Sequence, residues 1–293
     1  MTLTSREITS QPAIWREALA GHSERATALL TLPGSRILVL GCGTSAFVAE
    51  SFAALRESAG FGETDAAYAS EPWPWRNYDA VIVLSRSGTT TEAIDALDRV
   101  PAGVRTIVVT GVADSPLADR ADDVLLLDFA DEESVVQTRF PTTFLLLARA
   151  AFGEDVSALP DEAEKALGRP LDIDVAAFSH FVYLGSGWTY GLAQEAALKI
   201  REAAQAWAES YPLLDYRHGP LAVADSRSLV WIIGRVERSL VADIESTGAT
   251  VVSGVGDPLV ELADAQRLAV AIAELRGLDP DSPRNLTRSI VLS

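Results

Sequence analysis

A chain of 293 residues, 48% apolar and 22% charged, can hold one large or two medium α/β units, each with a core of its own. Its formal charge of −17 makes nucleic acid a poor partner, because a phosphate backbone is bound by a basic face. One cysteine, Cys42, excludes an internal disulfide, and together with only three histidines it argues against a metal centre.

The opening, MTLTSREITSQPAIW, has no basic stretch followed by an apolar one, and no apolar run approaches the roughly 20 residues needed to span a bilayer. A cytoplasmic protein without a membrane segment is expected. Residues 1–30 are expected to form an N-terminal helical segment. Short apolar runs then alternate with helical stretches. Arg36–Leu40, Asp79–Leu84, Arg105–Thr110 and Asp123–Asp128 read as strands buried on both faces of a parallel sheet, with helices near Ala46–Ser58, Thr90–Asp98 and Pro141–Phe152. The pattern restarts after the acidic stretch Gly153–Ala176. Phe181–Leu184, Ser228–Ile233 and Ala249–Ser253 read as strands, and Tyr190–Ala208, Val236–Ser246 and Leu259–Arg276 as helices. This divides the chain into a first subdomain over 31–153, a connecting segment over 154–176 and a second subdomain with its tail over 177–293. The fold class is α/β, with two three-layer αβα parallel-sheet subdomains of flavodoxin-like type. LVLGCGTSAFVAE in the first half and VYLGSGWTYGLAQEAALK in the second both read strand, Gly-x-Gly, helix, as a duplicated unit would.

Four stretches carry chemistry. Gly41–Ser45 (GCGTS) lies where a strand turns into a helix, so glycines allow close approach and the first helical amides point at an anion. A dinucleotide loop shares Gly-x-Gly, but the third glycine is missing here. In Ser85–Thr91 (SRSGTTT) five of seven residues carry hydroxyls, more than capping a helix requires. Ser85, Ser87, Thr89 and Thr90 can donate to a phosphate. Glu195, Lys199 and Glu202 stand at i, i+4 and i+7 of one helix and share a face. A carboxylate beside an ammonium in a cleft suits proton abstraction next to a carbonyl. The stretch Glu209–Pro220 (ESYPLLDYRHGP) is expected to be a loop, and it presents His218 among Asp215, Tyr216 and Arg217.

These motifs, with SRSGTTTE, QEAALKIRE and the C-terminal DSPRNLTRSIVLS, resemble the isomerase half of glucosamine-6-phosphate synthase and its stand-alone relatives in the double-SIS (sugar isomerase) family. Those relatives include amino-sugar-phosphate deaminases and ketose/aldose isomerases. The resemblance runs from EITSQP to the tail. It implies that Ser85, Arg86, Ser87 and Thr90 hold a phosphate, while Cys42, Gly43, Thr44 and Ser45 line the sugar site. It also implies that Val135 and Gln137, in Glu133–Thr143, touch the sugar. Glu202 matches the carboxylate that moves a proton between C1 and C2, and Lys199 matches a lysine beside it. His218 matches a ring-opening histidine that reaches in from a partner subunit, so a homodimer is implied. Two departures stand out. Nothing precedes EITSQP to match the synthase's glutaminase domain, so ammonia is not expected to come from glutamine. Arg288 stands where the synthase has a Schiff-base lysine. An arginine stays protonated and forms imines poorly, so Arg288 is expected to hydrogen-bond the sugar or its phosphate.

The expected activity is therefore aldose–ketose isomerisation of an amino-sugar 6-phosphate with loss of ammonia, without metal or organic cofactor. The alternatives are isomerisation without deamination, deglycation of a fructosamine phosphate, and a non-catalytic sugar-phosphate sensor.

Overall fold

The computed structural model of the protein describes residues 1–254 and 256–292; Val255 and Ser293, which belong to the expected second subdomain and its tail, lie outside the described residues. Two helices lead the chain, α1 (Leu3–Gly21) and α2 (Ser23–Leu30). The Thr2 side chain accepts from the Ser5 amide and caps α1, whose buried positions Thr4, Glu7, Ile8, Gln11, Trp15 and Ala18 recur every three or four residues. The first α/β unit follows as β1 (Ile37–Gly41), α3 (Thr44–Ser58), β2 (Thr64–Tyr68), β3 (Ala80–Leu84), α4 (Thr91–Asp98), β4 (Arg105–Thr110), β5 (Asp123–Leu126) and α5 (Arg139–Ala151). A short helix, α6 (Leu159–Leu167), crosses the connecting segment. The second unit comprises β6 (His180–Gly185), α7 (Thr189–Ala204), β7 (Ala208–Pro212), β8 (Ser228–Ile232), α8 (Arg238–Ser246), β9 (Thr250–Ser253) and α9 (Pro258–Leu275).

The strands form two parallel sheets, ordered β2-β1-β3-β4-β5 and β7-β6-β8-β9. Every residue of β1, β3 and β8 is buried, as a central parallel strand covered on both faces must be. One core runs between the two sheets, through Trp15, Phe52, Phe144, Tyr183, Leu192, Trp231 and Leu268. Smaller clusters cover the outer faces, Leu97 of α4 against the first sheet and Leu240 of α8 against the second.

Two elements depart from expectation. Thr64–Tyr68 is an edge strand that the sequence does not announce, because TDAAY has no apolar run. The expected loop over Glu209–Pro220 begins as a strand: β7 pairs with β6 from Phe181↔Ala208 to Gly185↔Pro212. Pro212 is accommodated because it ends an edge strand, where no ladder partner needs its missing N–H. The preceding helix accordingly stops at Ala204, four residues early, with Gln205 in the left-handed region at φ 48°.

Candidate active site

In an open parallel sheet, ligands sit beyond the carboxyl ends of the strands where the strand order reverses. Here that place lies between β1 and β3, whose following turns are Gly41–Ser45 and Ser85–Thr91. A small cavity of about 30 Å³ opens there, lined by Cys42, Ser45, Ser85, Arg86, Ser87, Thr90, Gln137 and Arg288. Gly88 shapes the second turn. Its φ is +66°, and a Cβ there would come 2.2 Å from Ser115 Oγ, so only glycine fits. The Ser85 hydroxyl accepts from the Gly88 amide at 3.2 Å, and Ser87 Oγ accepts from the Thr89 amide and hydroxyl at 3.3 and 3.1 Å. Burial pushes the Cys42 thiol up to about 11, with the Glu92 charge adding to the rise, so Cys42 lines the cavity as a neutral group.

Arg86 lines the cavity, while its guanidinium is bonded to backbone carbonyls. Its guanidinium is 1% exposed and donates to the carbonyls of Ser134 at 2.9 Å, Val135 at 3.4 Å and Arg288 at 3.1 Å, with Glu132 3.7 Å away. It ties together the phosphate loop, the 132–137 loop and the C-terminal tail. Val135 meets Arg86 through its backbone and does not line the cavity. Arg288 has its own partner: its guanidinium pairs with Asp131 at 2.5 and 2.6 Å and donates to the Glu132 carbonyl. The tail also reaches the start of α4, where the Thr91 amide donates to the Ile290 carbonyl at 3.1 Å.

The three-residue face on α7 comes together at the other side of the first turn. Lys199 Nζ donates to Thr44 Oγ1 at 3.1 Å and to Glu202 Oε2 at 2.5 Å, and stands 3.3 Å from Glu195 Oε1. Close contact of α3 and α7 makes this possible. A Cβ on Gly191 would lie 2.3 Å from the Phe47 carbonyl, and Ser51 Oγ donates to the Trp188 carbonyl at 2.8 Å. Burial alone depresses Lys199, but Glu195 and Glu202 outweigh it and hold its ammonium above the ordinary lysine range. Burial lifts the Glu195 carboxyl to about 7, with Lys199 pulling it back and Glu202 adding to the rise. Gly43 caps α3 at φ 54°, beside these groups in the chain but outside the cavity lining. His218 stands apart. It is exposed, and its ring makes no hydrogen bond to a described residue.

Residues 32–152 match the SIS domain. The chain is 28% identical to glutamine–fructose-6-phosphate aminotransferase [isomerizing] of Bradyrhizobium diazoefficiens, over 98% of this chain but 58% of that protein, so the chain spans little more than half the length of that relative. The crystal structure of glucosamine-6-phosphate deaminase from Thermotoga maritima is 27% identical, with a TM-score of 0.84 over 99% of this chain and 100% of that one. Tagatose-6-phosphate ketose/aldose isomerase from Escherichia coli shares the fold, at 20% identity and a TM-score of 0.79 over 100% and 96% of the two chains.

In the second sheet the strand order reverses between β6 and β8, and the turns that follow β8 and β9 are joined by a side chain of α9. The Glu261 carboxylate accepts from the Gly234 amide at 3.2 Å and the Gly256 amide at 3.3 Å. No sequence motif signals these contacts of Glu261, or the Asp131–Arg288 pair, which joins positions 157 apart in the chain. Among the described residues no group of three or more His, Cys, Asp or Glu side chains is arranged to hold a metal ion, and no helix is long and apolar enough to cross a membrane.

Proposed function

We propose that this chain is a phosphosugar aldose–ketose isomerase that deaminates an amino-sugar 6-phosphate, glucosamine-6-phosphate or galactosamine-6-phosphate, to ketose 6-phosphate and ammonia. The observation that carries the reading is the Lys199–Thr44 bond of 3.1 Å. It joins a buried ammonium and its neighbouring carboxylate to the turn that, with the Ser85–Thr91 loop, surrounds a hydroxyl-lined cavity at the sheet's switch point. The similarity to a glucosamine-6-phosphate deaminase over the whole chain supports the deaminating form.

Ser85, Ser87 and Thr90 hold the phosphate through their hydroxyls and the amides of their turn. Thr44 and Ser45 face the sugar. His218 of a second copy opens the ring by acid–base transfer, which makes the working unit a homodimer. Glu202 removes the proton from C2 of the open aldose, and the electron pair moves toward the C1 carbonyl. Lys199 stabilises the charge that develops on that oxygen. Glu202 returns the proton to C1, leaving an imine at C2, and water releases ammonia and the ketose.

Each proton-transfer group contributes about 10²–10⁴ in rate. The test follows ammonia and ketose phosphate together from both amino sugars, for the protein and for Glu202→Gln. Ammonia in step with ketose, lost in the variant while phosphate binding persists, is the expected outcome. Full activity in Glu202→Gln overturns the assignment. Ketose formed only from substrates without an amine would establish isomerisation alone, and thermal stabilisation without turnover would point to a sensor.

A further inference from the structure

The buried carboxyl of Glu195 has no part in the proton transfers just described, yet it sits against the lysine on which they depend. It is 0% exposed, and hydrogen bonds from Thr44 and Lys199 offset only part of the cost of its burial. Its neighbour in charge is Lys199 Nζ at 3.3 Å, and that ammonium is already bonded to Glu202 at 2.5 Å, whose side chain keeps 21% exposure. Two carboxylates thus share one buried cation. Ionising both leaves an uncompensated negative charge out of reach of water, which a low-dielectric site strongly disfavours. The proton that relieves this belongs on Glu195, the sealed member, because the other carboxylate has both the shorter bond to Lys199 and the access to solvent.

No other charge on the packed elements takes its place. Arg201, on the same helix, feels both carboxylates but donates to the Ala208 carbonyl. Helix α3 brings the uncharged Thr44. The buried acids of α9 are engaged elsewhere, Asp264 with Arg267 at 2.9 Å and Glu261 with the Gly234 and Gly256 amides; Glu274 is exposed, and Arg276 at the helix end donates to the Ala204 carbonyl. On β6 and β7, His180 and Glu209 pair with each other at 3.2 Å.

We propose that Glu195 is a positioning residue that works as a neutral carboxyl: it holds Lys199 in place from below and leaves the whole ammonium charge to Glu202 and the substrate oxygen. This rests on the reading of Glu202 as the proton-moving carboxylate. When Glu195 ionises, Lys199 is drawn toward it and turnover falls. The position of the Glu195 titration, about 7, places that loss within an accessible range.

Glu195→Gln, a permanently neutral isostere, separates this role from a packing role. Turnover of glucosamine-6-phosphate by the variant should stay within about threefold of the parent near pH 6.5, and should not share the parent's decline above about pH 7. Coincident pH profiles, or a loss above about tenfold at every pH, would overturn the proposal. An infrared difference spectrum of parent minus variant gives a readout free of turnover. It should show a protonated-carboxyl stretch near pH 6 that fades by about pH 8. A missing band overturns the proposal whatever the activity. A band without turnover of any phosphosugar leaves the Glu195 proton standing and overturns the proposed function.

Discussion

At the scale of single residues, the protein keeps several acids wholly or partly out of water. Burial raises Glu195, Glu7 and Glu50 alike; hydrogen bonds from Ser134 offset part of the rise in Glu7, and one from Gln194 offsets part of it in Glu50. A carboxyl whose folded pKa exceeds its unfolded value binds its proton more tightly in the fold. Its contribution is therefore full below the unfolded pKa and is lost as pH rises through the folded one. For Glu195 the window runs from the ordinary 4.5 to about 7. Thermal stability should fall between about pH 5 and about pH 8, and Glu195→Gln should flatten part of that slope. Melting curves at fixed ionic strength measure it, and a variant with the parent's slope would place the titration elsewhere.

Among elements, the contact of α3 with α7 decides whether a site exists. Thr44 belongs to one α/β unit and Lys199 to the other, and they meet because Gly191 lets the two helix backbones approach. Gly191→Ala should destabilise the protein by about 1–3 kcal/mol, since the added methyl meets backbone and the Ser51 hydroxyl at 2.3 Å. Activity should fall further than stability alone explains, because separating the helices lengthens the Lys199–Thr44 bond. Denaturant titration beside steady-state assay compares the two. Equal loss of folded fraction and of activity would show that the spacing does not matter. Arg86 plays a comparable joining role on the other side. A single buried guanidinium holds two loops and the tail through their carbonyls, so its removal strands three acceptors at once.

The whole molecule is two versions of one strand–turn–helix plan with different outcomes. Gly41 abuts Ser45, and Gly185 abuts Thr189, so closely that a Cβ on either would clash with the following helix. The switch point of the first unit opens into a cavity, whereas in the second unit Glu261 joins the turns after β8 and β9. The proposed dimer adds a further level, in which Glu202 of one copy and His218 of the other complete each site. Mixing Glu202→Gln with His218→Ala then gives hybrid dimers with one intact site in two. Co-refolded in equal amounts, two inactive variants should recover about a quarter of the parent activity. No recovery, with hybrid dimers demonstrated by mass, would place His218 in the site of its own chain or outside catalysis.

The sequence by itself determined the alternation of buried strands and helices, the restart after residue 176 and the turns that carry glycines and hydroxyls. Those features are local. A central parallel strand announces itself by an unbroken apolar run, and a ligand-facing turn by residues that free the backbone and supply donors. The edge strands β2 and β7 escaped because an edge need not be apolar, and TDAAY and AESYP keep polar residues. What only the tertiary structure decided concerns partners distant in the chain: Arg86 turned toward carbonyls 48, 49 and 202 positions away, Arg288 paired with Asp131, and Lys199 bonded to Thr44 across 155 positions. A charged side chain's role depends on which acceptor the folded chain brings within about 3 Å and on whether water competes for it. Neither is written in the residues next to it.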